Sequence, residues 1–284
     1  MVISPLRRKV LRDLRRLWAQ VLAIALVLAA GVATLILGNG AYASLHETRA
    51  RYYEENRFAD VFASVTRAPR ALLAEIEEIG GVLDAEARIV KLGSPDLPEM
   101  SGPASVQLVS LPEGAAELNR LYLHQGRLPD SQSVREATVS EGFALAHGFG
   151  PGDVLPVLMI GQRRDLLITG VAMSPEFIYA LGPGQMMPDP DRFGVAWLPR
   201  ASLEAAYDLE GTFSSLVLKL APGASPQRVI ESLDRLTARY GGAGATARKD
   251  QISHAFLDAE LQQLSTMVKV LPPIFLLVAA YWST

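Results

Sequence analysis

The stretch LWAQVLAIALVLAAGVATLILGNGAYASL, residues 17–45, contains no Asp, Glu, Lys or Arg. It is long enough to cross a hydrocarbon layer of about 30 Å as a helix. The ten Val, Ile and Leu residues between 21 and 37 favour insertion by about 3–6 kcal/mol together, whereas one central Arg would cost about 3. A transmembrane helix is therefore expected at 17–43. Ahead of it stand Arg7, Arg8, Lys9, Arg12, Arg15 and Arg16 against a single Asp13, which places the N-terminus on the cytoplasmic side. Leu6, Val10 and Leu14 recur at helical spacing with Arg8, Arg12 and Arg15 on another face, so residues 1–16 read as a cytoplasmic amphipathic helix lying at the interface. The competing reading is a cleaved signal peptide, because Ala41, Tyr42 and Ala43 form an A-x-A site. Its apolar run is longer than the roughly 7–15 residues of such segments.

Outward from the span, residues 44–270 read as one large extracytoplasmic domain. The helix continues through 41–58, and a strand follows at 60–65. Leu72, Leu73, Ile76 and Ile79 mark a helix over 71–79 that Gly80 and Gly81 stop. Strands come next at 82–92 and 104–111, around a Pro-rich turn. A similar order recurs later, with a strand at 213–220 and a helix begun by Ser225 and Pro226 that carries Val229, Ile230, Leu233 and Leu236 on one face. Two such units pair into one sheet with both helices on one face, a ferredoxin-like layer in an α+β fold. Between them, 112–212 is dense in short strands (136–140, 153–160, 165–173, 194–198) with Gly-Pro punctuation. This predicts an inserted β-rich subdomain, a small barrel or sandwich, with 162–164 as a tight hairpin connection.

A second long helix is expected over 253–271, and it runs into Pro272, Pro273 and the apolar IFLLVAA of 274–280. Residues 271–284 read as the start of a second transmembrane helix, truncated because the run is shorter than the roughly 20 residues a span needs. A re-entrant or interfacial tail is the alternative. The two long helices should pack side by side through Leu45, Tyr52 and Tyr53 on one and Leu257, Leu261, Leu264 and Val268 on the other.

The chemistry-bearing residues exclude more than they nominate. With 284 residues, a net charge of -3 and no cysteine, the chain offers no basic footprint for nucleic acid and no disulfide, thiolate or cysteine-metal chemistry. His46, His124, His147 and His254 are scattered without ligand spacing, so no catalytic, cofactor-binding or metal residue is nominated and the chain is not expected to be an enzyme. A phosphate loop of the G-x-x-x-x-G-K-[ST] type is missing from the sequence, so any ATP chemistry must come from another chain. The GFGPGD of 148–153 reads as a turn before a strand rather than a phosphate cradle. Asp189 and Asp191 are too few ligands for a calcium loop. Met173, Met186 and Met187 lie near Phe177, Tyr179, Phe193 and Trp197, and the choice is between a copper site and an exposed contact loop over 182–193.

Three stretches resemble a known family. GRLP at 126–129, EATVSE at 136–141 and ALAHGFGPGDVL at 144–155 are similar to the extracytoplasmic core domain of FtsX/MacB-like ABC transporter permeases. RFADVFASVTRAP at 57–69, SPEFIYA at 174–180 and residues 264–277 resemble its larger members. The resemblance implies a permease subunit, here the N-terminal part of one, in an export or mechanotransmission complex. There, cytoplasmic ATP hydrolysis moves an extracytoplasmic domain through long stalk helices, and the ferredoxin-like layer is porter-like. It further implies a cytoplasmic ABC ATPase partner, a second permease copy or paralogue, a periplasmic adaptor, and a multi-pass place in the bacterial inner membrane. The alternative is a membrane-anchored extracytoplasmic binding or sensor module without transport.

Overall fold

A computed structural model describes residues 18–97, 102–114 and 116–282; the amphipathic helix expected over 1–16 lies outside the described residues. The chain divides into two units, one of residues up to Ala50 with those from Asp258 onward, the other spanning Arg51–Leu257.

In the first unit, helix α1 (Trp18–Glu55) is about 57 Å long at 1.5 Å per residue. Among the described residues it is the one helix long and apolar enough to cross a membrane. Its aliphatic side chains point outward, with Leu26, Ile36 and Leu37 between 61% and 73% exposed, which suits a lipid surrounding. The last helix, here α6 (Ile252–Trp282), packs antiparallel to it in this unit. Arg49 Nη1 meets Asp258 Oδ1 at 2.9 Å, and further along Gly38 lies so close to Val268 that any added Cβ would overlap the valine. Leu261 and Val268 are buried, as expected, but Leu45 is half exposed; an ion pair and a glycine close approach do the work assigned to it. α6 runs on through Pro272 and Pro273, although each lacks the N–H that would bond the carbonyl four residues back.

The second unit holds two sheets. Strands β1 (Val61–Pro69), β2 (Val82–Arg88), β10 (Thr212–Leu220) and β11 (Thr246–Ala247) form an antiparallel sheet in the order β11-β1-β10-β2. Helix α2 (Leu72–Glu77) follows β1, and α5 (Pro226–Thr237) follows β10. Leu72 and Ile76 of α2 join Val229 and Leu233 of α5 in one core with Val61, Phe213, Leu216 and Leu218, so both helices cover the same face. This is the ferredoxin-like layer.

The remaining strands are β3 (Val90–Pro95), β4 (Ser105–Leu111), β5 (Tyr122–Gly126), β6 (Glu136–Ser140), β7 (Val154–Met159), β8 (Gln162–Met173) and β9 (Phe193–Pro199). They run in the order β5-β8-β6-β9-β4-β3-β7, and β7 also pairs with β8. That last pairing closes six strands into a ring and leaves β5 outside it, removing most of the free edges an open sheet would carry. The twelve-residue β8 makes closure possible, because its first half pairs with β7 and its second half with β5 and β6. Helices α3 (Glu141–His147) and α4 (Arg200–Tyr207) send Phe143 and Leu203 into its core.

Two expectations are corrected. The inserted subdomain starts at Val90 rather than at 112, because β4 pairs in parallel with β9 from Ser105↔Phe193 to Leu111↔Pro199 and β3 pairs with β4. One fully buried residue, Ile89, separates the two sheets at this crossing. The hairpin turn is Ile160-Gly161 rather than 162–164. Both residues have positive φ, 47° and 72°, as a two-residue turn that pairs Met159 with Gln162 requires.

Candidate functional site

The alternation of β2 puts Asp84, Glu86 and Arg88 on one side of the strand. The Arg88 side chain is 7% exposed and that of Glu176 11%. Their contact is bidentate, with Nη1 donating to Oε2 at 2.6 Å and Nη2 to Oε1 at 3.0 Å. Asn119 Nδ2 donates to the same carboxylate at 2.7 Å, while its Oδ1 accepts from Ala59 N at 2.8 Å. Burial works against the Arg88 charge; the Glu176 carboxylate outweighs it and leaves the guanidinium pKa raised.

Glu176 sits in a single helical turn, Pro175–Phe177, that the Ser174 hydroxyl caps by accepting from Glu176 N. This turn also holds the start of α6. Gln251 Nε2 donates to Glu176 O at 2.9 Å, Tyr179 N donates to Ser253 Oγ at 2.9 Å, and the Tyr179 ring lies 5.1 Å from Phe256. From α1, Tyr53 Oη lies 3.2 Å from His254 Nδ1, and the Tyr53 ring is 4.6 Å from that of Phe58. One turn therefore ties the ferredoxin-like sheet, the second sheet and the first residues of α6 together.

Beside the turn opens a groove of about 340 Å³, walled by Phe143, Phe177, Tyr179, Phe193 and Trp197 and touched by Glu141. Phe193 and Trp197 come from β9, which is buried throughout, so that wall is rigid. Pro188 and Pro190 of the expected contact loop form one side. Met186 and Met187 are 88% and 72% exposed.

Each histidine has a local partner. His124 Nδ1 lies 3.6 Å from Glu141, His147 Nε2 lies 3.0 Å from Asp191 O, His254 faces Tyr53, and the His46 ring is 6.1 Å from Tyr42. The GFGPGD segment turns from α3 into β7, with Gly148 in the left-handed region. Two resemblance stretches meet directly, since Arg127 makes two 2.8 Å bonds to Glu136. Sequence reasoning missed the Arg88–Glu176 pair. Its available signal was an Arg ending an alternating strand, with nothing to show which carboxylate would face it.

Glu86 supports a prediction here. Burial pushes its pKa up, only partly countered by Arg88 and the backbone N–H groups of Leu118 and Glu117. A carboxyl raised in the folded state binds its proton more tightly there than when unfolded, so its contribution is greatest at low pH and is lost as pH rises through the folded value. Glu86→Gln is expected to raise Tm at pH 7 by about 1–3 °C and to flatten the fall in stability just above the ordinary carboxylate range. Thermal melts from pH 4 to 8 read both; a lowered Tm at pH 7 would contradict the assignment.

The family model for the MacB-like periplasmic core domain matches residues 19–236. Among solved structures, the extracellular domain of the noncanonic ABC-type transporter YknZ from Gram-positive bacteria aligns at 12% identity and a TM-score of 0.41, covering 66% of this chain and 98% of that one. The periplasmic region of MacB from Actinobacillus actinomycetemcomitans aligns at 11% identity and a TM-score of 0.43, covering 72% of this chain and 92% of that one. No curated protein matches the chain.

Proposed function

The chain belongs to the MacB-like periplasmic core domain family, and from that membership we propose that it is a permease component of an ABC-type transporter, anchored in the bacterial inner membrane with its β-structured unit outside. The observation that carries the reading is the extent of the match. It begins inside α1 and runs into α5, taking in every strand of both sheets but β11, so the membrane helix and nearly all of the sheets fall within one family unit. ATP is bound and hydrolysed by a separate cytoplasmic ATPase, and the chain itself is neither an enzyme nor a cofactor protein. A second permease copy or paralogue and a periplasmic adaptor complete the complex. α1 and α6 act as the relay, and their antiparallel contacts in the first unit together with the Glu176 turn in the second support that role.

A topological test comes first. The chain has no cysteine, so Ser94→Cys in β3, an exposed position, gives a single label site. Labelling by a membrane-impermeant maleimide from the outside of intact spheroplasts is expected. Labelling only after the membrane is opened would overturn the proposed orientation, and a mature N-terminus at Ser44 would replace the anchor with a cleaved signal.

A further inference from the structure

We propose that the face formed by α3 and the segment 182–193 docks an amphipathic helix of a partner protein that carries Lys or Arg beside its apolar side chains. The face is built around exposed apolar groups. Met186, Met187 and Leu145 are 88%, 72% and 76% exposed, a concentration of bare apolar surface that a water-facing loop gains nothing from. Leu145 lines the groove together with Pro188 and Pro190, and Met187 immediately precedes Pro188. The two elements pack on each other. His147 Nε2 lies 3.0 Å from Asp191 O, and a Cβ added to Gly142 would stand 3.6 Å from Pro190 Cβ. Hydrogen bonds fold the loop at both ends: Gly182 N donates to Gln185 Oε1 at 2.8 Å, and Arg192 N and Phe193 N both donate to Asp189 O. The methionines are thus held between two turns, and their unbranched side chains adapt to a partner's contour.

Charge selects the occupant. Together α3 and 182–193 carry Glu141, Asp189 and Asp191 against the one guanidinium of Arg192, which lies 3.9 Å from Asp189. The surplus is negative whichever way each carboxylate points, because the field of such charges reaches about 8–10 Å at ordinary salt. It attracts a basic segment and repels both an anionic bilayer and the same face of a second copy. An extended peptide has no strand edge to join here, because β9 lies between β6 and β4. The contact is therefore made by side chains, as when the apolar side of a helix meets a groove. A helix seated here also lies against Ile178 and Tyr179, and Tyr179 is held to Ser253 and Phe256 of α6.

The test uses the full chain in nanodiscs of zwitterionic lipid, with a polarity-sensitive fluorophore at Ala146→Cys, an exposed position of α3 in a sequence with no other cysteine. The probes are two amphipathic peptides of four helical turns, about 14 residues, one of Leu and Lys and one of Leu and Glu, titrated at measured free concentration. The Leu/Lys peptide is expected to blue-shift the fluorophore and to bind about tenfold more tightly than the Leu/Glu peptide, with the difference shrinking at high salt. Met186→Ser with Met187→Ser should weaken binding of both peptides, and Asp189→Asn with Asp191→Asn should remove the preference for Lys. Nanodiscs expose both sides of the membrane, so peptide binding tests this face whatever the outcome of the spheroplast labelling, on which the partner's place outside the membrane rests. Equal affinity for the two peptides, a preference that survives the double Asn variant, undiminished binding by the double Ser variant, or no shift up to millimolar peptide would each overturn the proposal. So would an equal shift from a fluorophore at Ser94→Cys on β3, which would give the peptide to the bilayer, or a shift with protein concentration before any peptide is added, which would give the face to a second copy.

Discussion

Arg88→Ala is expected to destabilise the β-structured unit by about 3–5 kcal/mol, among the largest single effects available in this chain. Removing the guanidinium leaves the Glu176 carboxylate buried with Asn119 as its remaining side-chain donor, and an uncompensated buried charge costs far more than the net worth of the pair. Glu176→Ala should also be costly, because Arg88 would keep one described side-chain hydrogen bond, the 3.3 Å contact to Ser215 Oγ, and its charge interaction with Glu86. The double variant Arg88→Met with Glu176→Leu should recover much of the loss, since two apolar side chains of similar bulk need no partner. Urea unfolding reads all three at constant m-value, and a double-mutant cycle closed with the Arg88→Ala, Glu176→Ala double variant isolates the coupling. A single-variant loss below about 1 kcal/mol, the level of an exposed pair, would mean that the junction between the sheets is held elsewhere.

The parts of this fold that obey a period were legible in the sequence, and those that depend on a partner were not. The 29 uncharged residues at 17–45 announce α1, and the helical spacing of Leu72, Ile76, Val229 and Leu233 fixes which face of each short helix enters the core. Alternation also marks β3 and β4 as strands. It says nothing about which sheet takes them, so the parallel pairing of β4 with β9 moved the boundary of the insertion to Val90. The same blindness hid the groove. Phe143 on α3, Phe177 in the turn and Trp197 on β9 are distant in sequence and converge only when β8 closes the ring. Leu45 failed as a packing residue because helical spacing proposes a stripe, while the actual approach was set by Gly38, which has no side chain to keep Val268 away.

Leu261→Pro is expected to separate ATP hydrolysis from export. Leu261 is buried at 6% exposure within α6, where proline removes one backbone hydrogen bond and clashes with the preceding turn, at a cost of about 3 kcal/mol or more. It lies in the unit formed with the membrane helix rather than in the β-structured unit, so the sheets and the Arg88–Glu176 junction should stay intact. The consequence is mechanical: a helix broken at this point absorbs a displacement instead of passing it on. The deciding measurement is the export rate and the ATPase rate in one proteoliposome preparation of the permease with its ATPase, with protease resistance of the β-structured unit as the control. The account predicts continued ATP hydrolysis, export lost by tenfold or more and a protease-resistant outer unit; unchanged export from a correctly inserted Leu261→Pro protein would show that α6 is a tether and that the domain works as an anchored binding module.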